Sequence, residues 1–156
     1  MQTLLTILFL FFYITTYAGD TLSANRVPFD PTRDPFVDLK QAVAEAKKEN
    51  KNILLDVGGE WCIWCHRIDE FITNDKEIKE GFESAFVILK VNFSKENKNE
   101  KFLSQYPKIP GYPHFFILDK NGKFLESQDT GELESGKSYS KQKFLEFVNK
   151  WKNKKR

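Results

Sequence analysis

The chain has 156 residues, the size of one domain with a single core, and 40% of them are hydrophobic. Basic and acidic residues nearly balance, 24 against 22, for a formal charge of +2; a nucleic-acid binder would be expected to carry a clustered basic face, so no nucleic-acid partner is expected. Fifteen phenylalanines imply a core rich in large rings.

Leu4 to Ile14 is almost continuously apolar and shorter than the ~20 residues that span a bilayer. Thr16-Tyr17-Ala18 then places small residues where a signal peptidase reads, so residues 1–18 are expected to be a signal peptide cleaved after Ala18, and the protein to be exported, periplasmic or secreted. No Lys or Arg precedes the apolar run, which leaves an uncleaved membrane anchor as the alternative. Residues 19–34, with Pro28 and Pro31, read as an extended lead-in to a domain over 35–156.

Asp34-Pro35 has the form of a helix start, and Phe36, Leu39, Val43 and Ala46 follow at spacings of three and four as an apolar face. Asn52 to Val57 reads as a central strand covered on both sides, interrupted by Asp56 and ended by Gly58-Gly59. The next helix starts near Cys62 with Ile68, Phe71 and Ile72 inward, breaks or bends at Asn74-Asp75, and gains another turn or two from Ile78 and Phe82. A second strand is expected over Ala85 to Phe93, then a polar stretch with Phe102, Leu103 and Tyr106 at helical spacing. Pro107 to Pro113 cannot be helical. His114 to Leu118 reads as a strand and Phe124 to Ser127 as its partner across a tight Asn121-Gly122 hairpin. Asp129 to Ser140 reads as a loop, and a last helix from about Ser140 turns Phe144, Leu145, Val148 and Trp151 inward. The basic tail, Lys150 to Arg156, suits the end of that helix. The alternation implies an α/β fold, a mixed sheet flanked by helices.

The two cysteines of the chain, Cys62 and Cys65, stand three residues apart at the start of a helix that follows a buried strand. A disulfide closing so small a loop is a poor staple, so redox chemistry explains the pair better than stability does. A helix N-terminus favours a thiolate on Cys62, and Cys65, on the face of Ile68, is expected to be the more buried sulfur.

Leu55-Asp56-Val57 through Glu60-Trp61-Cys62-Ile63-Trp64-Cys65, together with Ile109-Pro110-Gly111-Tyr112-Pro113 before a strand, resembles the thioredoxins over roughly residues 36–152. The likeness is strongest to exported bacterial thioredoxin-like proteins. It implies a thioredoxin-like fold and a thiol-disulfide oxidoreductase with no cofactor. Cys62 would be the nucleophile, Cys65 the resolving thiol, the two forming the redox-active disulfide, Asp56 a proton acceptor, and Pro113 a cis-proline facing the sulfurs. Trp61, Trp64, Tyr112 and Pro113 would meet substrate. The partners implied are protein disulfides or dithiols and a membrane protein that recycles the pair, with the chain acting as a monomer. Ile63-Trp64 and Tyr112 depart from thioredoxin itself, so the direction of electron flow is open; a reductase is favoured over an oxidase or isomerase.

His66, one turn after Cys62, is either a cation that steadies the Cys62 thiolate or a solvated helix residue. Cys62-Ile63-Trp64-Cys65-His66 also fits c-type haem attachment, opposed by the lack of any Met beyond Met1 as a distal ligand. Zinc is disfavoured because His66 and His114 lack paired ligand spacing, and no metal site is expected. A binding module without catalysis is the remaining alternative.

Overall fold

The computed structural model describes residues 26–152; the expected signal peptide, the first part of the lead-in and residues 153–156 lie outside the described residues. Helix α1 (Pro35–Glu49) is capped by Asp34, whose carboxylate accepts from the Phe36 N–H at 2.8 Å. Its inward face is rotated from the expected stripe: Pro35, Asp38, Ala42 and Ala46 are buried, Leu39 and Val43 flank them, and Phe36 is exposed, its ring edge-on to Phe102. Small side chains at positions 42 and 46 let the helix sit close on the sheet.

Strand β1 (Asn52–Gly58) is buried along its whole length. It pairs in parallel with β2 (Phe86–Asn92) and antiparallel with β3 (His114–Leu118), which pairs antiparallel with β4 (Phe124–Asp129), giving the order β2-β1-β3-β4. Side chains alternate across this sheet. Ile53, Leu55 and Val57 join Phe116 and Leu118 under α1, while Leu54 joins Phe115 under α3 (Lys76–Ala85) and α5 (Lys141–Lys152). Rings fill the second layer: Phe82 lies 5.7 Å from Phe144 and 5.9 Å from Phe147, centroid to centroid. The fold is thioredoxin-like, a mixed sheet with helices on both faces.

The details differ from expectation where local chemistry intervenes. The helical run after the cysteines is two helices, α2 (Ile63–Asn74) and α3, because Asp75 leaves helical geometry and caps α3 through the N–H groups of Glu77 and Ile78. Helix α3 runs on to Ala85, so β2 begins at Phe86. The polar stretch after β2 holds one turn, α4 (Glu100–Leu103). Asn121-Gly122 does not make a two-residue turn. The loop spans Asp119 to Lys123, closed by the Asp119 N–H on the Lys123 carbonyl at 2.9 Å, with Gly122 at φ 82° and a register shift at 117/118. The expected loop over 129–140 contains a 3-10 turn (Thr130–Leu133) and a small hairpin, β5 (Glu134–Ser135) with β6 (Ser138–Tyr139). Helix α5 buries Phe147 with Phe144, Val148 and Trp151, leaving Leu145 at the margin.

Candidate functional site

The C-terminal end of β1, the start of α2 and the loop entering β3 converge at one end of the sheet. Cys62 is the N-cap of α2, with extended backbone, and its sulfur accepts from the Cys65 N–H at 3.1 Å. It is joined to Cys65 as a disulfide with a Cα–Cα distance of 5.2 Å. Cys62 is 4% exposed and Cys65 0%. The helix N-terminus places unpaired N–H groups and positive potential at the Cys62 sulfur, the setting that lowers a thiol pKa. Gly58 permits the close approach of strand and helix: a Cβ there would lie 2.5 Å from Cys65 Sγ and 3.0 Å from the Phe29 ring.

The mouth of the site is aromatic. Trp61 is 58% exposed and donates its indole N–H to the Phe93 carbonyl at 2.7 Å. Its ring meets Tyr112 edge-on at 5.7 Å, and Tyr112 stacks on Phe93 at 4.7 Å. The Tyr112–Pro113 peptide is cis, and the Pro113 carbonyl accepts from the Thr130 hydroxyl. Ile63 is 59% exposed beside them. Trp64 packs against the cysteines on one side and edge-on to Tyr139 on the other, with the Arg67 guanidinium 4.6 Å from its ring centre.

Behind the cysteines lies a buried charge cluster. Asp56 stands two residues before Gly58 and so shares its face of β1. Its Oδ2 lies 3.3 Å from Lys90 Nζ, its strand neighbour on β2, while Oδ1 is buried without a partner. Lys90 Nζ is also 2.6 Å from both oxygens of Asp69 on α2, and Asp69 takes the Arg26 Nε at 2.6 Å. Arg26 forks Glu60 with bonds of 2.8 and 2.7 Å, and the Phe29 N–H donates to the same carboxylate at 2.7 Å. Burial pushes the Asp56 carboxyl up to about 6; the attraction of Lys90 opposes this and the negative charge of Asp69 adds to it. Phe29 is buried in contact with both cysteines, and Lys90 Nζ lies 4.1 Å from its ring centre. A cavity of about 290 Å³ adjoins this cluster, lined in part by Arg26, Asp56, Asp69, Ile88 and Lys90.

The structure therefore brings Asp56, Trp61, Cys62, Trp64, Cys65, Tyr112 and Pro113 together. His66 Nε2 lies 2.9 Å from the Glu60 carbonyl, which can only accept, so the ring donates there. His114 is buried in β3, with Nε2 2.7 Å from the Ser127 hydroxyl and Nδ1 unpartnered; burial pushes its pKa down against the pull of Asp129. No grouping of three His, Cys, Asp or Glu side chains suited to a metal ion occurs among the described residues. Arg26, Phe29, Asp69 and Lys90 escaped the reading of the sequence, and Glu60 entered it only as part of the motif, with no role of its own. Lys90 carried a signal, a charge inside an apolar strand as Asp56 is in another. Phe29 carried none, being one apolar residue in a segment without periodicity.

A thioredoxin-like family model matches residues 34–120. The chain is similar to the disulfide bond reductase DsbH of Chlamydia pneumoniae, at 26% identity over 117 residues that cover 69% of each chain. It is similar to the thiol:disulfide interchange protein DsbD of Citrobacter koseri at 29% identity over 84 residues, 54% of this chain but only 14% of that longer protein. In fold it resembles a disulphide isomerase from Xylella fastidiosa (TM-score 0.68, 24% identity, covering 81% of this chain and 98% of that one). It also resembles the C-terminal domain of Neisseria meningitidis DsbD in the oxidised form (TM-score 0.57, 19% identity, covering 76% and 96%).

Proposed function

This chain belongs to the thioredoxin-like family, and from that premise we propose that it is a thiol-disulfide oxidoreductase whose Cys62–Cys65 dithiol reduces disulfides in exported proteins. One observation carries the reading: Cys62 caps a helix at an aromatic mouth, with Cys65 fully buried on the face of β1 that holds Asp56. Cys62 is the nucleophile. Its thiolate attacks a substrate disulfide, forming a mixed disulfide and releasing one substrate thiolate. Cys65 passes its proton to Asp56 and attacks Cys62 Sγ, so the mixed disulfide breaks with its electron pair on the second substrate sulfur. Two electrons move to the substrate, and the chain is left as the Cys62–Cys65 disulfide. Trp61, Trp64, Tyr112 and Pro113 form the surface that meets substrate, and His66 steadies the Cys62 thiolate by its charge.

The reductase direction is supported by the similarity to a disulfide bond reductase and to a thiol:disulfide interchange protein. The electrons of the exchange move only between sulfur atoms of the chain and its substrate, with Asp56 taking the proton, and no cofactor takes part. A membrane electron-transfer protein restores the dithiol, and the chain acts as a monomer. Residues 1–18 serve as the export signal, which N-terminal sequencing of the mature protein tests; among the described residues no helix is long and apolar enough to cross a membrane. Equilibration against glutathione tests the direction. A potential near the thioredoxin value of about −270 mV supports a reductase, and one near the DsbA value of about −120 mV overturns it. Turnover of a disulfide substrate is expected to vanish in Cys62→Ser, whereas a binding module would have none to lose.

A further inference from the structure

We propose that residues 26–29 form a latch over the buried side of the cysteine pair, in which Arg26 and Phe29 are positioning residues that keep water from Asp56 and so set the proton transfer from Cys65. The inference rests on the oxidoreductase reading above and adds to it a segment outside the residues that the family model matches.

The latch is held at both ends of the motif. Arg26 bridges Glu60, two residues before Cys62, and Asp69, four residues after Cys65. Phe29 adds its own N–H to Glu60. A charged side chain with 16% exposure, satisfied by two carboxylates from different elements, fixes the path of the segment far more firmly than one surface pair would. The path then forces Phe29 into the hollow that Gly58 leaves, where its ring meets Cys65 Sγ on one side and Lys90 on the other. The ring covers Cys65 and Lys90, the two groups that flank the Asp56 carboxyl, and Arg26 lines the cavity beside that carboxyl, one oxygen of which has no partner.

The charged and titratable groups around Asp56 are Lys90 from β2, Asp69 and Cys65 from α2, Arg26 from the latch, Tyr139 from β6, and Lys79 and Glu83 of α3, which line the cavity that Asp56 also lines. Lys90 is held more tightly by Asp69, at 2.6 Å, than by Asp56, at 3.3 Å. The protonation of Asp56 therefore depends on dryness as much as on its cation. In the resolving step the Cys65 S–H proton moves to ionised Asp56, the Cys65–Cys62 bond forms and the Cys62–substrate bond breaks, so the rate rises with pH through the Asp56 titration. Letting water in favours ionised Asp56 and moves that rise to lower pH.

The experiment is a single turnover of the full chain. Reduced protein is mixed with 5,5′-dithiobis(2-nitrobenzoate), and formation and decay of the mixed disulfide at Cys62 are followed from pH 4 to 9. In Phe29→Ala the midpoint of the decay profile is expected about one pH unit lower than in the parent, with formation unchanged; Phe29→Leu restores it. Glu60→Ala, at a half-exposed position, removes the bonds of both Arg26 and Phe29 to Glu60, leaves the Arg26–Asp69 pair, and is expected to shift the profile the same way. A lowered melting temperature with superimposable profiles in Phe29→Ala and Glu60→Ala would reduce the latch to packing and overturn the proposal. A parent chain that forms no mixed disulfide would instead remove the oxidoreductase reading, a result distinct from a parent profile that the variants merely keep.

Discussion

A carboxylate in the middle of a central strand is an expensive residue for a fold to keep, and Asp56 makes the expense measurable. Its folded pKa, about 6, stands above the ordinary 3.8 because burial outweighs the attraction of Lys90. The folded state therefore holds this proton more tightly than the unfolded chain does, so the associated stability is present below pH 3.8 and lost as pH rises through 6. Asp56→Asn is expected to raise the unfolding free energy at pH 8 by up to about 3 kcal/mol for a shift of this size, read from urea titrations, with the advantage fading toward pH 4. The same variant is expected to slow decay of the mixed disulfide at least tenfold, since general acid–base groups commonly contribute about 100-fold or more. At position 66, titration of the Cys62 thiol in His66→Ala is expected to give a raised pKa; an unchanged value returns His66 to the structural tie with the Glu60 carbonyl. Asp56, Cys62 and Cys65 were legible because they lie within ten positions of one another, where spacing alone reports geometry. Lys90, Asp69 and Arg26 were not, because each finds its partners across the sheet or along a segment with no periodic pattern.

At the scale of elements, junctions decide what the pattern of apolar residues leaves open. Residues 63–85 form two helices because Asp75 accepts from two backbone N–H groups at once, and its second oxygen pairs with Lys141 of α5 at 2.8 Å. Asp75→Ala is expected to lower unfolding free energy by about 1 kcal/mol, the usual worth of a lost cap, read as a shift in urea midpoint without a change of slope. Strand β3 was legible to the residue, since five consecutive buried side chains between Pro113 and Asp119 admit little else. Strands β5 and β6 were not, because two residues cannot display a period of two. The inward face of α1 was misread for a related reason. Large apolar residues at 36, 39 and 43 outweighed the alanines, yet close packing on a sheet selects small side chains.

The whole molecule adds two buried titrations of opposite sense. His114 is held neutral by burial, its pKa below the ordinary 6.5, so the stability it lends is present above 6.5 and is lost as pH falls. Asp56 gains as pH falls through the neighbouring range. Their sum is expected to flatten the stability profile between pH 4 and 6.5, and thermal unfolding of His114→Gln across that range is expected to show stability rising with acidity instead. The overall architecture was legible because alternating helices and strands admit few arrangements, and a mixed sheet with a Cys pair at its end is one of them. The hollow above Gly58 bears on how such a protein is dissected. The matched family region starts at residue 34 and contains the sheet core, both cysteines and Asp56, yet the ring that plugs the hollow is Phe29. A shortened version cut at that border, or a chimera assembled there, would inherit a complete scaffold with an unplugged rear wall. For modular exchange among relatives, the unit to transplant begins at Arg26.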